Sequence, residues 1–180
     1  MKSLTQDQFN QFFEQGYTVI PNLVPSEELE PLRNEIAQLI DLAAEKLLVE
    51  GKITKLYSDE DFDTRLGKLM EEFPESRNEL FRAIEGKGGG GHAGREMFNM
   101  LTHPKLLDAM EDLVGKNIVA SSVYRIRPKV PGLNRGVVPW HQDSGYFAPH
   151  CDTALIVTVW MPLIDATVEN GCLRCAFGST

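Results

Sequence analysis

The spacing of apolar residues changes near residue 115, and this change constrains the fold more than any other feature of the sequence. Between residues 26 and 50, apolar side chains recur every three or four positions, which is the period of an amphipathic helix. From residue 117 onward, they fall instead in short runs bounded by glycine, proline and asparagine. Helices followed by an antiparallel β-region are typical of an α+β fold. Strands are predicted at residues 118–126, 137–143, 154–161 and 172–177.

Local signals predict further helices in the first 115 residues. Thr5 and Gln8 match a capping box, and Gly16 follows where the first helix should end. The long helix is expected to begin with Ser26 as its cap. The acidic stretch from residue 52 is irregular, and the glycine-rich segment at residues 86–92 predicts a mobile loop. The predicted helices lie at residues 4–15, 26–50, 75–84 and 104–114.

Length and composition predict one globular domain over residues 1–180, with a mostly helical part at 1–115 and a β-core at 116–180. No apolar run is long enough to cross a membrane, and the first residues lack the apolar core of a secretory signal. The three cysteines are therefore expected to be reduced thiols. These features predict a cytoplasmic protein without a membrane partner.

The net charge of −8 argues against nucleic acid as a partner, since binding to phosphates needs basic surfaces. Basic side chains are nevertheless grouped in the β-region, which favours a small anionic substrate there. The alternative is that these residues form an ordinary solvated strand face. The group consists of Arg125, Arg127, Lys129 and Arg135.

The motif His141-x-Asp143 places an imidazole and a carboxylate two positions apart. On an extended strand, residues i and i+2 point to the same face, so both side chains can reach one point in space. This pair suits Fe(II), which non-haem oxygenases bind with two histidines and one carboxylate. The alternative is a surface histidine beside a carboxylate. A second such pair, His150-x-Asp152, lies in a predicted turn after Pro149.

Several motifs follow one another between residues 139 and 179. They are Trp140-His141-Gln142-Asp143, Tyr146-Phe147, the apolar run at 154–163, Glu169-Asn170-Gly171-Cys172-Leu173-Arg174 and Phe177-Gly178-Ser179. This series resembles the phytanoyl-CoA dioxygenase (PhyH) family of Fe(II)/2-oxoglutarate-dependent oxygenases. The resemblance implies N-terminal helices packed on a double-stranded β-helix, a cupin-like jelly roll, of which only about the first half is present.

The resemblance also implies roles for individual residues. His141 and Asp143 would bind iron, and no catalytic residue is implied beyond these metal ligands. Without the resemblance, the aromatic residues in the β-region are equally well explained as core residues, and Gln142 as an outward strand residue. The residues implied to contact 2-oxoglutarate are Tyr124, Gln142, Trp160 and Lys87.

The implied function is hydroxylation of a small organic substrate, coupled to oxidative decarboxylation of 2-oxoglutarate to succinate. It requires Fe(II), 2-oxoglutarate and O2, and ascorbate is expected to stimulate it. The family's second iron histidine and its co-substrate arginine are expected beyond residue 180, so the chain made alone should be a poor oxygenase. The alternatives are a non-catalytic fragment or binding module of the same fold, and a cupin-type metalloprotein with other chemistry. The sequence leaves the prime substrate and the oligomeric state open.

Overall fold

The fold is seen in a computed structural model that describes residues 1–85, 91–130, 138–151, 153–176 and 178. The described residues form helices in the first 115 positions and two 3₁₀ turns after them. The α-helices are α1 (Gln6–Gln15), α2 (Ser26–Val49), α3 (Phe62–Glu72), α4 (Arg77–Glu85), α5 (Arg95–Leu101) and α6 (Pro104–Val114). The 3₁₀ turns are Pro74–Ser76, Asp143–Tyr146 and Pro149–Cys151.

The predicted helices are all present, with their ends shifted by a few residues. The predicted strands are not seen, because the described residues from 116 onward are assigned to no β-strand. The jelly roll therefore stays a prediction. None of the described helices is long and apolar enough to cross a membrane. The three cysteines are free thiols, as expected.

Helix α1 begins and ends where its sequence signals predict. The Thr5 hydroxyl accepts a hydrogen bond from the Gln8 amide at 3.2 Å, and the Gln8 side chain accepts one from the Thr5 amide at 2.9 Å. Gly16 closes the helix in the left-handed conformation, with φ at 82°. These bonds satisfy backbone groups that a helix end leaves without partners.

Helix α2 is the centre of the core, and α3, α4 and α5 pack around it. Its apolar stripe is buried, which stabilises the fold by roughly 1.5–3 kcal/mol for each large side chain. The predicted cap is wrong in detail, because Pro25 occupies the cap position and Ser26 is the first helical residue. The Ser26 hydroxyl instead accepts a hydrogen bond from Arg33 at 3.1 Å. The buried residues of α2 are Leu29, Leu32, Ile36, Ile40, Ala44 and Leu47.

Helices α3 and α5 were not predicted from the sequence. In α3 a charged residue, Arg65, lies on the buried face with Leu69 and Met70, which disguises the apolar stripe. The Arg65 guanidinium is satisfied by the Leu56 carbonyl at 3.1 Å and by Asp41 at 2.6 Å. A buried charge with such partners is tolerated, so the acidic stretch folds despite its irregular pattern.

The chain beyond α6 returns to the helical core at two places. Tyr124, Ile126 and Val130 pack against the α2 core, while the basic residues between them are exposed. At the second place, Arg33 on α2 donates a hydrogen bond to the Leu163 carbonyl at 2.6 Å. The residues that carry the His-x-Asp motif lie between these two anchored segments in the sequence.

Candidate metal-binding site

His141 and Asp143 lie side by side. Gln142 between them has an extended backbone, with φ at −107° and ψ at 133°, so its two neighbours project to the same side. His141 Nε2 is 3.2 Å from Asp143 Oδ1. The predicted proximity of the two side chains is therefore present. The strand predicted for these residues is not present, because Asp143 begins the 3₁₀ turn Asp143–Tyr146.

The His141 ring is oriented by contacts on its other sides. Its Nδ1 lies 2.7 Å from the Pro139 carbonyl oxygen. A carbonyl only accepts hydrogen bonds, so Nδ1 carries the proton and donates it, which leaves Nε2 to face Asp143. The Tyr146 ring packs edge-on against the imidazole, with the centroids 5.3 Å apart. A histidine that binds a metal through one nitrogen commonly donates from the other in this way.

The Asp143 carboxylate has a second partner that sequence reasoning missed. The Thr158 hydroxyl donates a hydrogen bond to Asp143 Oδ2, so the two carboxylate oxygens have different partners. Thr158 lies fifteen residues farther along the chain, in a run predicted to be an apolar strand. In the sequence, only the presence of a hydroxyl side chain within this apolar run pointed to a hydrogen-bonding role for Thr158.

The pair has the donor types and the separation that a metal ion requires. Two ligand atoms about 2.1 Å from an ion and at right angles to each other lie about 3.0 Å apart. The observed separation of His141 Nε2 and Asp143 Oδ1 is 3.2 Å. Both side chains are also accessible, at 35% and 42% exposure. Residues 141 and 143 could thus hold two adjacent positions of one ion.

A third protein ligand is not found in the part of the chain that the structure describes. No three histidine, cysteine or carboxylate side chains are grouped there so that they could hold a metal ion. His150, which lies in the turn Pro149–Cys151, therefore does not join His141 and Asp143. The arrangement supplies two of the three ligands of a facial site.

The residues predicted to contact 2-oxoglutarate are dispersed. The Tyr124 hydroxyl donates to the His92 carbonyl at 3.0 Å, and its ring packs against the helical core. Trp160 is 42% exposed, and Gln142 is exposed between the two candidate ligands. Lys87 lies outside the described residues. Contact of these residues with the co-substrate stays a prediction.

Comparison with known proteins decides the family. The model of the phytanoyl-CoA dioxygenase (PhyH) family matches residues 12–180. This chain belongs to that family. Enzymes of the phytanoyl-CoA dioxygenase family generally depend on Fe(II) and 2-oxoglutarate, in keeping with the donor types of His141 and Asp143.

Relatives from animals and plants are similar over most of this chain. Human peroxisomal phytanoyl-CoA dioxygenase is 28% identical over 94% of the chain and 46% of its own length. A phytanoyl-CoA dioxygenase domain-containing protein of Danio rerio is 27% identical over 99% of the chain and 66% of its own length. Phytanoyl-CoA dioxygenase of Arabidopsis thaliana is 26% identical over 98% of the chain and 65% of its own length.

The chain thus spans between about half and two thirds of the length of these curated relatives. Comparison with solved structures gave no significant match. The names of these relatives are those of dioxygenases or of dioxygenase domain-containing proteins.

Proposed function

We propose that the protein is an Fe(II)- and 2-oxoglutarate-dependent dioxygenase that hydroxylates a small organic substrate. The observation that carries this proposal is the separation of 3.2 Å between His141 Nε2 and Asp143 Oδ1, in a member of the phytanoyl-CoA dioxygenase family. Bound iron would supply the oxidising chemistry, with O2 and 2-oxoglutarate as co-substrates and succinate as the co-product. Ascorbate is expected to stimulate the reaction.

The chain's own residues would hold and orient the ion. His141 would bind through Nε2 while its Nδ1 proton stays on the Pro139 carbonyl, which fixes the ring. Asp143 would bind through Oδ1. The third ligand and the arginine for the far carboxylate of 2-oxoglutarate would come from outside the described residues. The proposed co-substrate contacts remain Tyr124, Gln142, Trp160 and Lys87.

A small anionic substrate is the proposed class. Arg125, Arg127 and Lys129 are exposed, whereas the residues that alternate with them pack inward. Three cations on one side of a segment attract anions from solution. The names of the human and Arabidopsis relatives refer to phytanoyl-CoA. Function in the cytoplasm is part of this proposal, although the human relative is named peroxisomal.

The test is succinate formation from 2-oxoglutarate with Fe(II) and ascorbate present. Residues 1–180 should form succinate poorly, because their described part offers two iron ligands, whereas a longer chain that supplies a third ligand should form it readily. His141→Ala should abolish turnover and weaken Fe(II) binding. His150→Ala, a matched change in the nearby turn, should leave both unchanged. Equal succinate formation by wild type and His141→Ala would overturn the proposal.

A second candidate is a non-catalytic member of the family. It is favoured by the presence of two metal donors rather than three among the described residues. In that case Fe(II) would bind weakly, and neither residues 1–180 nor a longer chain would form succinate. A cupin-type metalloprotein with other chemistry would bind metal through His141 and consume no 2-oxoglutarate. The same assay, run together with a metal titration, separates these outcomes.

A further inference from the structure

The two oxygens of the Asp143 carboxylate have separate partners. Oδ1 faces His141 Nε2 at 3.2 Å, and Oδ2 accepts the hydroxyl hydrogen of Thr158. We propose that Thr158 is a positioning residue of the metal site, which holds Asp143 Oδ2 so that Oδ1 alone faces the ion. This inference rests on the proposed function, since it assumes that His141 and Asp143 bind a metal.

The need for such a partner follows from the exposure of the aspartate. A half-exposed carboxylate can rotate about its terminal bond, and either oxygen can then face the imidazole. Hydrogen bonds to an ionised acceptor are roughly twice as strong as neutral ones, so a hydroxyl on Oδ2 opposes this rotation. Threonine is well suited as the donor because its β-branched side chain is stiff at the first torsion.

The Thr158 contact also affects how many positions of the ion stay open. A carboxylate that is free on both oxygens can bind a metal through one or both of them. With Oδ2 engaged by Thr158, Asp143 is biased toward binding through Oδ1 only. Iron oxygenases of the facial type need open positions for their co-substrates, so one-oxygen binding keeps an additional position available. Thr158 would therefore act on both affinity and coordination number.

A purely structural role is the competing explanation. The contact joins the turn at residue 143 to the segment at 158, so its loss could simply loosen the fold. Two substitutions distinguish the explanations. Thr158→Val keeps the shape but removes the hydroxyl, whereas Thr158→Ser keeps the hydroxyl. Thr153→Val is the matched control, because Thr153 is exposed in the same part of the chain.

The experiment is titration of the metal-free protein with Mn(II) and with Co(II), together with thermal unfolding of the metal-free forms. Loss of an outer partner of a metal ligand typically costs about 10- to 100-fold in affinity. Thr158→Val should therefore weaken Mn(II) binding by about that factor, while Thr158→Ser and Thr153→Val stay within about threefold. The visible absorption of the Co(II) form should change only in Thr158→Val. The melting temperatures without metal should agree across the set.

The possible failures are distinguishable. If His141→Ala leaves Mn(II) affinity unchanged, the metal site itself is wrong and Thr158 has no such role. If His141→Ala abolishes binding but Thr158→Val matches wild type in affinity and in its Co(II) spectrum, only the Thr158 inference is overturned. A lower melting temperature of metal-free Thr158→Val, with unchanged metal affinity, would show a structural role instead. Should Thr158→Val fail to fold, Thr158→Ala supplies the same loss of the hydroxyl.

Discussion

Two histidine–carboxylate pairs in this protein have nearly the same separation and very different surroundings. His92 Nε2 lies 3.0 Å from Glu35 Oε1, and His141 Nε2 lies 3.2 Å from Asp143 Oδ1. The first pair joins residues that are distant in the sequence and is largely buried, with side-chain exposures of 17% and 18%. The second pair is local and about twice as exposed.

The difference lies in what else the carboxylate binds. Glu35 accepts hydrogen bonds from the backbone amides of Glu96 at 3.0 Å and Met97 at 3.3 Å, so it caps the start of helix α5. Burial raises the pKa of Glu35, but the bonds from these amides and from His92 outweigh it and hold the pKa below its usual value. Gly94 lies against the pair, and a Cβ there would overlap both Glu35 Oε1 and His92 Nε2.

Proximity of an imidazole and a carboxylate by itself therefore does not separate a metal site from a structural contact, whereas exposure and the other partners of the carboxylate do. The Glu35 oxygens are engaged by backbone amides inside the fold, and little space remains beside them. The side chains of His141 and Asp143 are 35% and 42% exposed, and their other hydrogen bonds are made by Nδ1 and Oδ2 rather than by the facing atoms Nε2 and Oδ1. The first pair is suited to hold structure together, and the second to bind a ligand.

The largest expected effect comes from removing each histidine in turn. His141→Ala should weaken Mn(II) binding by more than about 100-fold, because loss of a ligand costs more than loss of an outer partner. His92→Ala should leave Mn(II) affinity within about twofold and should lower stability by about 1 kcal/mol through the lost hydrogen bond. Metal titration and urea unfolding of both variants measure the two effects. Weaker metal binding in His92→Ala would remove the distinction between the pairs.

The next effect concerns the packing at Gly94. Gly94→Ala should destabilise the fold by about 2 kcal/mol, since the added methyl must displace the Glu35–His92 pair. Gly145→Ala is the matched control beside the candidate metal site, where an added Cβ meets nothing within 4 Å. Its stability should stay within about 0.5 kcal/mol of wild type. Urea unfolding of the two variants is the measurement, and equal stabilities would show that the first pair is loosely packed.

The smallest expected effect is that of Glu35→Gln. This substitution should lower the free energy of unfolding by about 1 kcal/mol at neutral pH, because it weakens the capping of α5. Because folding lowers the pKa of Glu35, the ionised group stabilises the protein fully above its unfolded pKa of about 4.5. That contribution is lost as the pH falls through the lower folded pKa. The stability difference between wild type and Glu35→Gln should therefore shrink below about pH 4.5. A constant difference in urea unfolding from pH 7 to pH 3 would contradict this role.

The same contrast explains which parts of the fold were predictable. Helices α1, α2 and α6 carry their signals locally: a capping box at Thr5, a long apolar stripe in α2, and Pro104 with Gly115 at the ends of α6. The proximity of His141 and Asp143 was equally local, since a spacing of two on an extended backbone brings side chains to one side. The family was also readable from the order of motifs between residues 139 and 179. The jelly roll is still a prediction.

Tertiary structure alone decided the elements whose partners are far away in the sequence. Helix α5 is too short to be stable by itself and is capped by Glu35 from another helix. Helix α3 buries Arg65 because Asp41 and the Leu56 carbonyl satisfy its guanidinium. The contact of Thr158 with Asp143 likewise depends on how the chain returns to the motif. Hydrophobic period and local spacing are encoded in neighbouring residues, whereas a buried charge or a hydroxyl donor acquires its role only when folding brings its partner within hydrogen-bonding distance.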